Sequence, residues 1–537
     1  MCIKYNQVEK NIARDKLIVN AIHALTYKRS KNTLVTNLQM KDLLEHFLSL
    51  VALFLEKQGN KVCLDDYKEK IIKKWEILFE AKNEVKAPHQ LKVLYLAGPQ
   101  PTNDLEVLLE NGVKSYNIWA IEGGSKEFKR AVEDLKNKKY YIRLHKGSLK
   151  SFFESYPEQF DIVYFDACTP LFSNGQNPLE VLQELFINRR LTNLSALITN
   201  FSEPDSSLYG EWGKILASWY AARFDDCPFS TFESEFADIN YRINEIEKYA
   251  EFITNRIPEY YSDFIPRFIA SFASEIMPFL KITTFKSISL KLFKENQIQN
   301  LLNENSKIEG STSEEILSQI PHYMLAAGEY PLLNWVRLST ELLSNKNPLK
   351  NYLNGQKDVF NSIITCTQLK SFEESYTGFN TLINEVCSEK LIDVLNNVDF
   401  FDRNLPLTVN IPMKNLITEL IIGQYSFPYI TNLNSQLSLK YKANGKKTWM
   451  YSDVFLFDQC RYLYDLLPTL EQLDDYFKYN IEEQIIIRCC IDGILRNHYN
   501  LNNNLLKGGF IEDLYDKRFF YSDFKDRKNI NAIIKEK

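Results

Sequence analysis

Glycine and proline are scarce, at 18 each in 537 residues, which excludes a collagen-like or linker-dominated chain. Charge of one sign is also missing. The 64 basic and 69 acidic residues leave a net charge of −5, so capture of nucleic acid by global charge is not implied and a local basic patch is left open. No stretch reaches the roughly 20 apolar residues that a membrane-spanning helix needs. The most apolar run near the start, residues 47–55, is bounded by His46 and Glu56. The opening MCIKYNQVEK holds no signal-peptide core, and the expectation is a soluble, cytoplasmic protein with no membrane contact. Nine cysteines are spread thinly, with no C-x-x-C pair and no zinc-finger spacing to histidine. Cys489 and Cys490 are adjacent, and free buried thiols are the plain reading. The six histidines form neither H-x-x-x-H nor H-E-x-x-H, so no metal site is expected. P-loop and G-x-G-x-x-G motifs are absent, which argues against a P-loop nucleotidase and a nicotinamide-dependent enzyme.

What is there is ordinary globular material: 45% hydrophobic, 25% charged and 13% aromatic residues, too apolar for a long disordered chain. At about 150 residues per domain, the length suggests three or four domains. Residues 1–87 read as a helical N-terminal segment. Leu43, Leu44, Phe47, Leu50, Val51, Phe54 and Leu55 mark one helix face, and Tyr67, Ile71, Trp75 and Leu78 mark another over about 65–81. From Leu91 the periodicity changes. Short apolar runs at 92–97, 117–121, 140–145, 161–166 and 195–200 alternate with amphipathic stretches at 103–111, 126–136, 149–155 and 178–186. That alternation is the pattern of a parallel sheet covered on both faces. The expected α/β domain is 88–293, with a helical insertion at about 211–280 and strands over 281–293. Residues 294–537 are expected to form a mainly helical C-terminal domain, with helices over 313–400, from Tyr462 and over 482–498, and a loop at 403–412. Within it, SLKYKA, Asn444-Gly445 and KKTWMYSDVFLF read as a hairpin at about 438–457 with a type I′ turn.

Ligands of open α/β sheets bind beyond the carboxyl ends of the strands. Those ends carry, in turn, Gly98-Pro99-Gln100-Pro101, then Glu122-Gly123-Gly124, then Gly147-Ser148-Leu149, then Asp166-Ala167-Cys168-Thr169-Pro170. An acidic residue 24 positions after the first turn, Glu122, suits the hydroxyls of a bound ribose. Each element has a plain alternative: a strand-end carboxylate for Glu122, a helix cap for Asp166, and capping or dipole compensation for Asp104. Their joint occurrence at successive strand ends favours a binding site.

On the residues Val93–Pro101, Ile118–Gly123, His145–Leu149 and Phe160–Pro170, the chain resembles the class I S-adenosylmethionine-dependent methyltransferases over about residues 88–205. The resemblance implies a Rossmann-like, seven-stranded sheet binding S-adenosylmethionine. It implies that Gly98, Pro99 and Asp104 approach the methionine part, Glu122 and Gly123 the ribose, Ser148 and Leu149 the adenine, and Asp166 the amino group or the reacting centre. The sequence departs from the family pattern in its single glycine in the first loop and in Ser148, where an acidic residue often stands. The expected function is in-line methyl transfer to an unknown acceptor. Asp166 is the candidate general base, with Asp104 and Glu203 behind it. The alternative is a catalytically inactive binding or scaffold protein of the same fold. Cys168 follows Ala167 rather than a proline, and a small buried thiol is the better reading. Two basic–aromatic stretches bear on nucleic-acid contact. The stretch 136–146 reads as solvated lysines before a strand. The hairpin residues Lys440, Lys442, Lys446, Lys447 and Trp449 are the candidate contact, so a nucleic acid or protein partner is expected at the C-terminal domain.

Overall fold

A computed structural model of the chain describes residues 7–38, 40, 41, 45, 65–173, 178–221, 236, 242, 245–276, 427–431, 437–466 and 527–535. The helix face at Leu43–Leu55, the strands expected over 281–293, the helices over 313–400 and 482–498 and the loop at 403–412 lie outside the described residues. Two helices come first, α1 (Val8–Leu25) and α2 (Asp65–Lys82). Strands and helices then alternate: β1 (Val93–Leu96), α3 (Thr102–Glu110), β2 (Ile118–Glu122), α4 (Ser125–Lys138), β3 (Arg143–Lys146), α5 (Leu149–Ser155), β4 (Phe160–Asp166), α6 (Pro178–Ile187) and β5 (Leu191–Ser202). In the region expected to be helical, from Trp212 to about Leu280, the described elements include α7 (Tyr209–Ala221), α8 (Ile246–Thr254) and α9 (Ile257–Ser271). The last elements are β6 (Ile430–Thr431), β7 (Leu437–Tyr441), β8 (Met450–Asp458), α10 (Arg461–Tyr464), β9 (Lys528–Asn529) and α11 (Ile530–Lys535).

The nine strands among the described residues belong to one sheet of order β3-β2-β1-β4-β5-β8-β7-β9, with β6 pairing off this path to β8. Strands β1 to β5 are parallel throughout. Strand β8 runs antiparallel along nearly the whole of β5, from Leu194 opposite Asp458 to Ser202 opposite Met450. The molecule is therefore an α/β protein with a Rossmann-like core. Strand β4, FDIVYFD, is buried at every position except Asp166, as a parallel strand covered on both faces must be. On one face Leu17, Ile18, Ala21 and Ile22 of α1 pack on Tyr95, Ile162, Tyr164 and Ile198. On the other, Phe153, Leu182, Leu216, Phe264 and Phe268 pack on Leu94, Val163, Leu197 and Phe455.

The hairpin forms, but its strands lie inside this sheet and not in a unit apart from it. The physical reason is the edge of β5: a long apolar strand with an unpaired edge is an aggregation template, and β8 covers it. The turn also differs from expectation. Tyr441 stands opposite Met450, leaving 442–449 as the connection. The amide of Lys446 donates to the Ala443 carbonyl at 2.9 Å. Gly445 takes φ +76°, but Asn444 is not left-handed, whereas a type I′ turn needs both central residues so.

Candidate functional site

The strand order turns back between β1 and β4. The chain leaves β1 towards β2 and β3 on one side and reaches β4 and β5 on the other, and such a switch point opens a crevice at the carboxyl edge. Gly98 sits there at φ +58°, with nothing within 4 Å of where a Cβ would lie. The left-handed backbone explains the glycine, and the open space beside it is a cradle. Tyr95 fixes the turn by donating its hydroxyl to the Pro101 carbonyl at 3.0 Å, and Pro99 is exposed.

Asp166, on the β4 side of the switch, is held by three donors. Its Oδ1 accepts from the Cys168 thiol at 2.8 Å and from Asn200 Nδ2 at 2.7 Å, and its Oδ2 pairs with Lys10 Nζ at 2.8 Å. Asn200 extends the network: its Nδ2 is 3.0 Å from the Tyr441 hydroxyl, and its Oδ1 accepts from Ser452 at 2.8 Å. One turn along α1, Arg14 Nε lies 2.6 Å from Asp104 Oδ1 as an ion pair whose N–H is not aligned on the oxygen. Arg14 Nη1 donates to Asn11 at 2.9 Å. Lys10 and Arg14 are four residues apart and share the stripe that Leu17 and Ala21 continue into the core. This is the signal that sequence reasoning missed: two cations in line with an apolar stripe, one of them in the first turn, where a helix disfavours positive charge.

Burial alone would raise the Asp166 carboxyl. The Lys10 ammonium and the hydrogen bonds from Cys168 and Asn200 outweigh it and hold the group below the usual carboxylate range. Asp166 is thus an ionised acceptor with its lone pairs engaged, an arrangement suited to binding a cation and poorly suited to taking a proton. Burial pushes Asp104 up to about 6, against the pull of Arg14 and with the push of Asp166. Cys168, expected as a small buried thiol, is exposed at the residue level. Desolvation of its sulfur and the adjacent Asp166 push the thiol up to about 12, so it is a neutral donor and not a thiolate.

The tips on the other side of Gly98 are tied more lightly. Glu122 Oε1 accepts from the Gly124 amide at 2.8 Å, and its carbonyl accepts from Gly147 at 3.1 Å. A Cβ on Gly123 would stand 3.4 Å from the Gly147 carbonyl oxygen. Ser148 is exposed and caps α5, its hydroxyl accepting from the Ser151 amide at 3.1 Å, while Leu149 is buried. Glu122 and Asp166 stand at the tips of strands on either side of β1, about 10 Å apart at the usual strand spacing.

Glu203, a candidate base behind Asp166, is buried. It accepts from the Tyr209 hydroxyl at 3.1 Å and from the Trp449 amide at 3.3 Å, tying the end of β5 to the hairpin. That contact brings the connection 442–449 to the same edge of the sheet. Lys440 Nζ and Lys442 Nζ lie 5.8 and 5.0 Å from the Trp449 ring centre, and Lys446 and Lys447 are exposed. No described helix is long and apolar enough to cross a membrane.

No family model matches the chain, and no curated protein does. Solved structures similar to parts of it include an S-adenosylmethionine-dependent methyltransferase from Clostridium acetobutylicum, at 15% identity and TM-score 0.18, covering 27% of this chain and 54% of that one. PKMT2 from Rickettsia typhi, in complex with AdoHcy, is 12% identical at TM-score 0.20, over 34% of this chain and 35% of that one. The plantazolicin methyltransferase BamL is 12% identical at TM-score 0.20, over 57% of this chain and 93% of that one. The chain thus spans about half the length of the first of these and about a third of the second. The assignment to an α/β, Rossmann-like core rests on the strand order and parallel ladders described above.

Proposed function

We propose that the chain is an S-adenosylmethionine-dependent methyltransferase acting on an unknown acceptor. The observation that carries this reading is the open, left-handed Gly98 turn at the switch point, with a carboxylate on the strand tip to either side. The residues fit the cofactor. Gly98 and Pro99 would receive its methionine part, Glu122 and Gly123 its ribose, and Ser148 and Leu149 its adenine. Asp166 is an ionised acceptor for its ammonium, reached only by displacing Lys10. When bound, S-adenosylmethionine supplies an electrophilic methyl group for in-line transfer. The protein's part is alignment, which needs no covalent help from a side chain. Asp166 acts as an electrostatic anchor and not as a base, because three donors already stabilise its charge. We assign acceptor or partner selection to residues 294–537, with the hairpin connection standing at the same edge as the site.

The test is calorimetry with S-adenosylmethionine and S-adenosylhomocysteine. Both should bind the wild-type chain, and Glu122→Ala should weaken binding at least about tenfold, with melting changed by less than about 0.5 kcal/mol. Absence of binding at millimolar concentrations would sink the reading. One observation favours a second reading, an inactive scaffold of the same fold: α1 already satisfies both Asp166 and Asp104. Cofactor binding without transfer of a labelled methyl group to any acceptor in a cell extract would favour that reading.

A further inference from the structure

Between Lys114 and Lys150 the sequence holds ten Lys or Arg against four Asp or Glu, in a chain whose net charge is −5. The fold gathers this excess on one border of the sheet. Lys126, Lys129, Arg130 and Lys136 project from the outer face of α4, opposite the buried Ala131 and Leu135, and all four are exposed. Arg143 and Lys146 lie on β3, the edge strand next to α4, and Lys139 caps the end of α4 before it; all three are exposed, with the Arg143 guanidinium 4.2 Å over the Trp119 ring. None of these seven has an ion-pair partner among the described residues, although Lys138 and Lys150 beside them do, with Glu106 and Glu180. Two tyrosines stand at the amino end of the same border. Tyr141 is 84% exposed and Tyr116 is 60% exposed, and the pairing of Trp119 with Arg143 sets both just before the β2–β3 ladder.

Two ordinary explanations do not cover the pattern. Protection of an edge strand accounts for cations on β3 but not on α4. Compensation of a helix dipole accounts for Lys136 and Lys138 in the last turn of α4. It disfavours Lys126, Lys129 and Arg130 in its first half, where acids belong. Cations without acidic partners beside exposed aromatic rings are what a single nucleic-acid strand uses: charge along its backbone and flat faces for its bases. The stretch 136–146, which reads in isolation as solvated lysines, is half of this surface.

We propose that the outer face of α4 and the β3 edge form a docking surface for single-stranded nucleic acid, with Tyr116 and Tyr141 as stacking platforms. The proposal stands whether or not the chain binds S-adenosylmethionine. The experiment is fluorescence anisotropy of the full chain with a labelled single-stranded RNA of about 20 nucleotides, a span fitting an extended charged border. Wild type should bind at low salt and weaken steeply as salt rises. The triple variant Lys126→Glu/Lys129→Glu/Arg130→Glu should bind at least about tenfold more weakly, with a shallower salt slope. Glutamate is favoured at 126 in the first turn, whereas at 129 and 130 it would face Glu133 and Asp134 at i+4, so melting is measured beside binding. Lys129→Gln/Arg130→Gln, which adds no such repulsion, should also weaken binding severalfold. Tyr141→Ala should cost about fivefold or more. The idea fails if the triple variant binds like wild type, or if poly-glutamate competes as well as unlabelled RNA, which would mark the border as a seat for acidic protein. It fails equally if Lys446→Glu/Lys447→Glu abolishes binding while the α4 variant keeps it, which would move the contact to the hairpin.

Discussion

The carboxyl edge of the sheet has two unlike halves. On the β1-β2-β3 side the strands are short, the side chains of Glu122 and Ser148 bond to neighbours two or three residues along the chain, and the flanking surface is exposed. On the β4-β5-β8-β7 side the strands are long and their ends are stitched together. Asp166, Asn200, Tyr441 and Ser452 link four strands, and α1 seals them with Lys10. The contrast separates two jobs. The stitched half holds the domain together, and the open half is where a ligand can enter without dismantling it.

The largest effect should come from deepest in the stitched half. Asp453 of β8 is fully buried and pairs with Arg527 at 2.8 Å. Arg527 also donates to Ser262 and to the Leu439 and Ser452 carbonyls. Arg527→Ala leaves a buried carboxylate without its cation and should cost about 3–5 kcal/mol, read as a fall in the urea midpoint. A loss below about 1 kcal/mol would break the comparison, because this half would then not be the stabilising one. Next comes pH. The folded-state pKa of Asp104, about 6, lies above its unfolded value. Its share of stability is therefore largest in acid and declines as pH rises from about 4 to about 6. Asp104→Asn should flatten that part of the curve, and a carboxyl titration by NMR should place Asp104 near 6 and Asp166 below the usual aspartate range. The smallest effect sharpens the boundary between the halves. Lys10→Met removes one donor from Asp166 and should cost about 1–2 kcal/mol, since Cys168 and Asn200 remain. It should also tighten S-adenosylmethionine binding, because the ammonium that competes for Asp166 is gone. Weaker binding in that variant would mean that Lys10 belongs to the site and does not block it.

Much of the open half was legible in the sequence. Local signals carry it: apolar runs bounded by turn residues, Gly112 at φ +88° ending α3, and Ser148 opening α5, whose expected bounds match Leu149–Ser155. The strand tips bearing Gly98, Glu122, Ser148 and Asp166 followed from the same alternation. The stitched half was not legible, because its contacts join residues far apart in the chain. Asn200 and Ser452 are 252 positions apart, and Lys10 and Cys168 are 158 apart. No window of local periodicity contains either pair. Residues 281–293, expected as strands, lie outside the described residues, and the edge of β5 is taken by β8, a run that read as part of a separate hairpin. The burial of Glu203 was not legible for a related reason: it depends on Trp449, which no turn signal near Pro204 announces.

The pairing of β5 with β8 has a consequence for how the protein is born. At about 5–20 residues per second, the ribosome finishes β5 tens of seconds before it delivers β8. During that wait a twelve-residue strand, already flanked by β4, presents a bare row of amides and carbonyls to solvent. Some other surface, whether a chaperone or a part of the intervening polypeptide, has to shield it until the late strand arrives and takes its place.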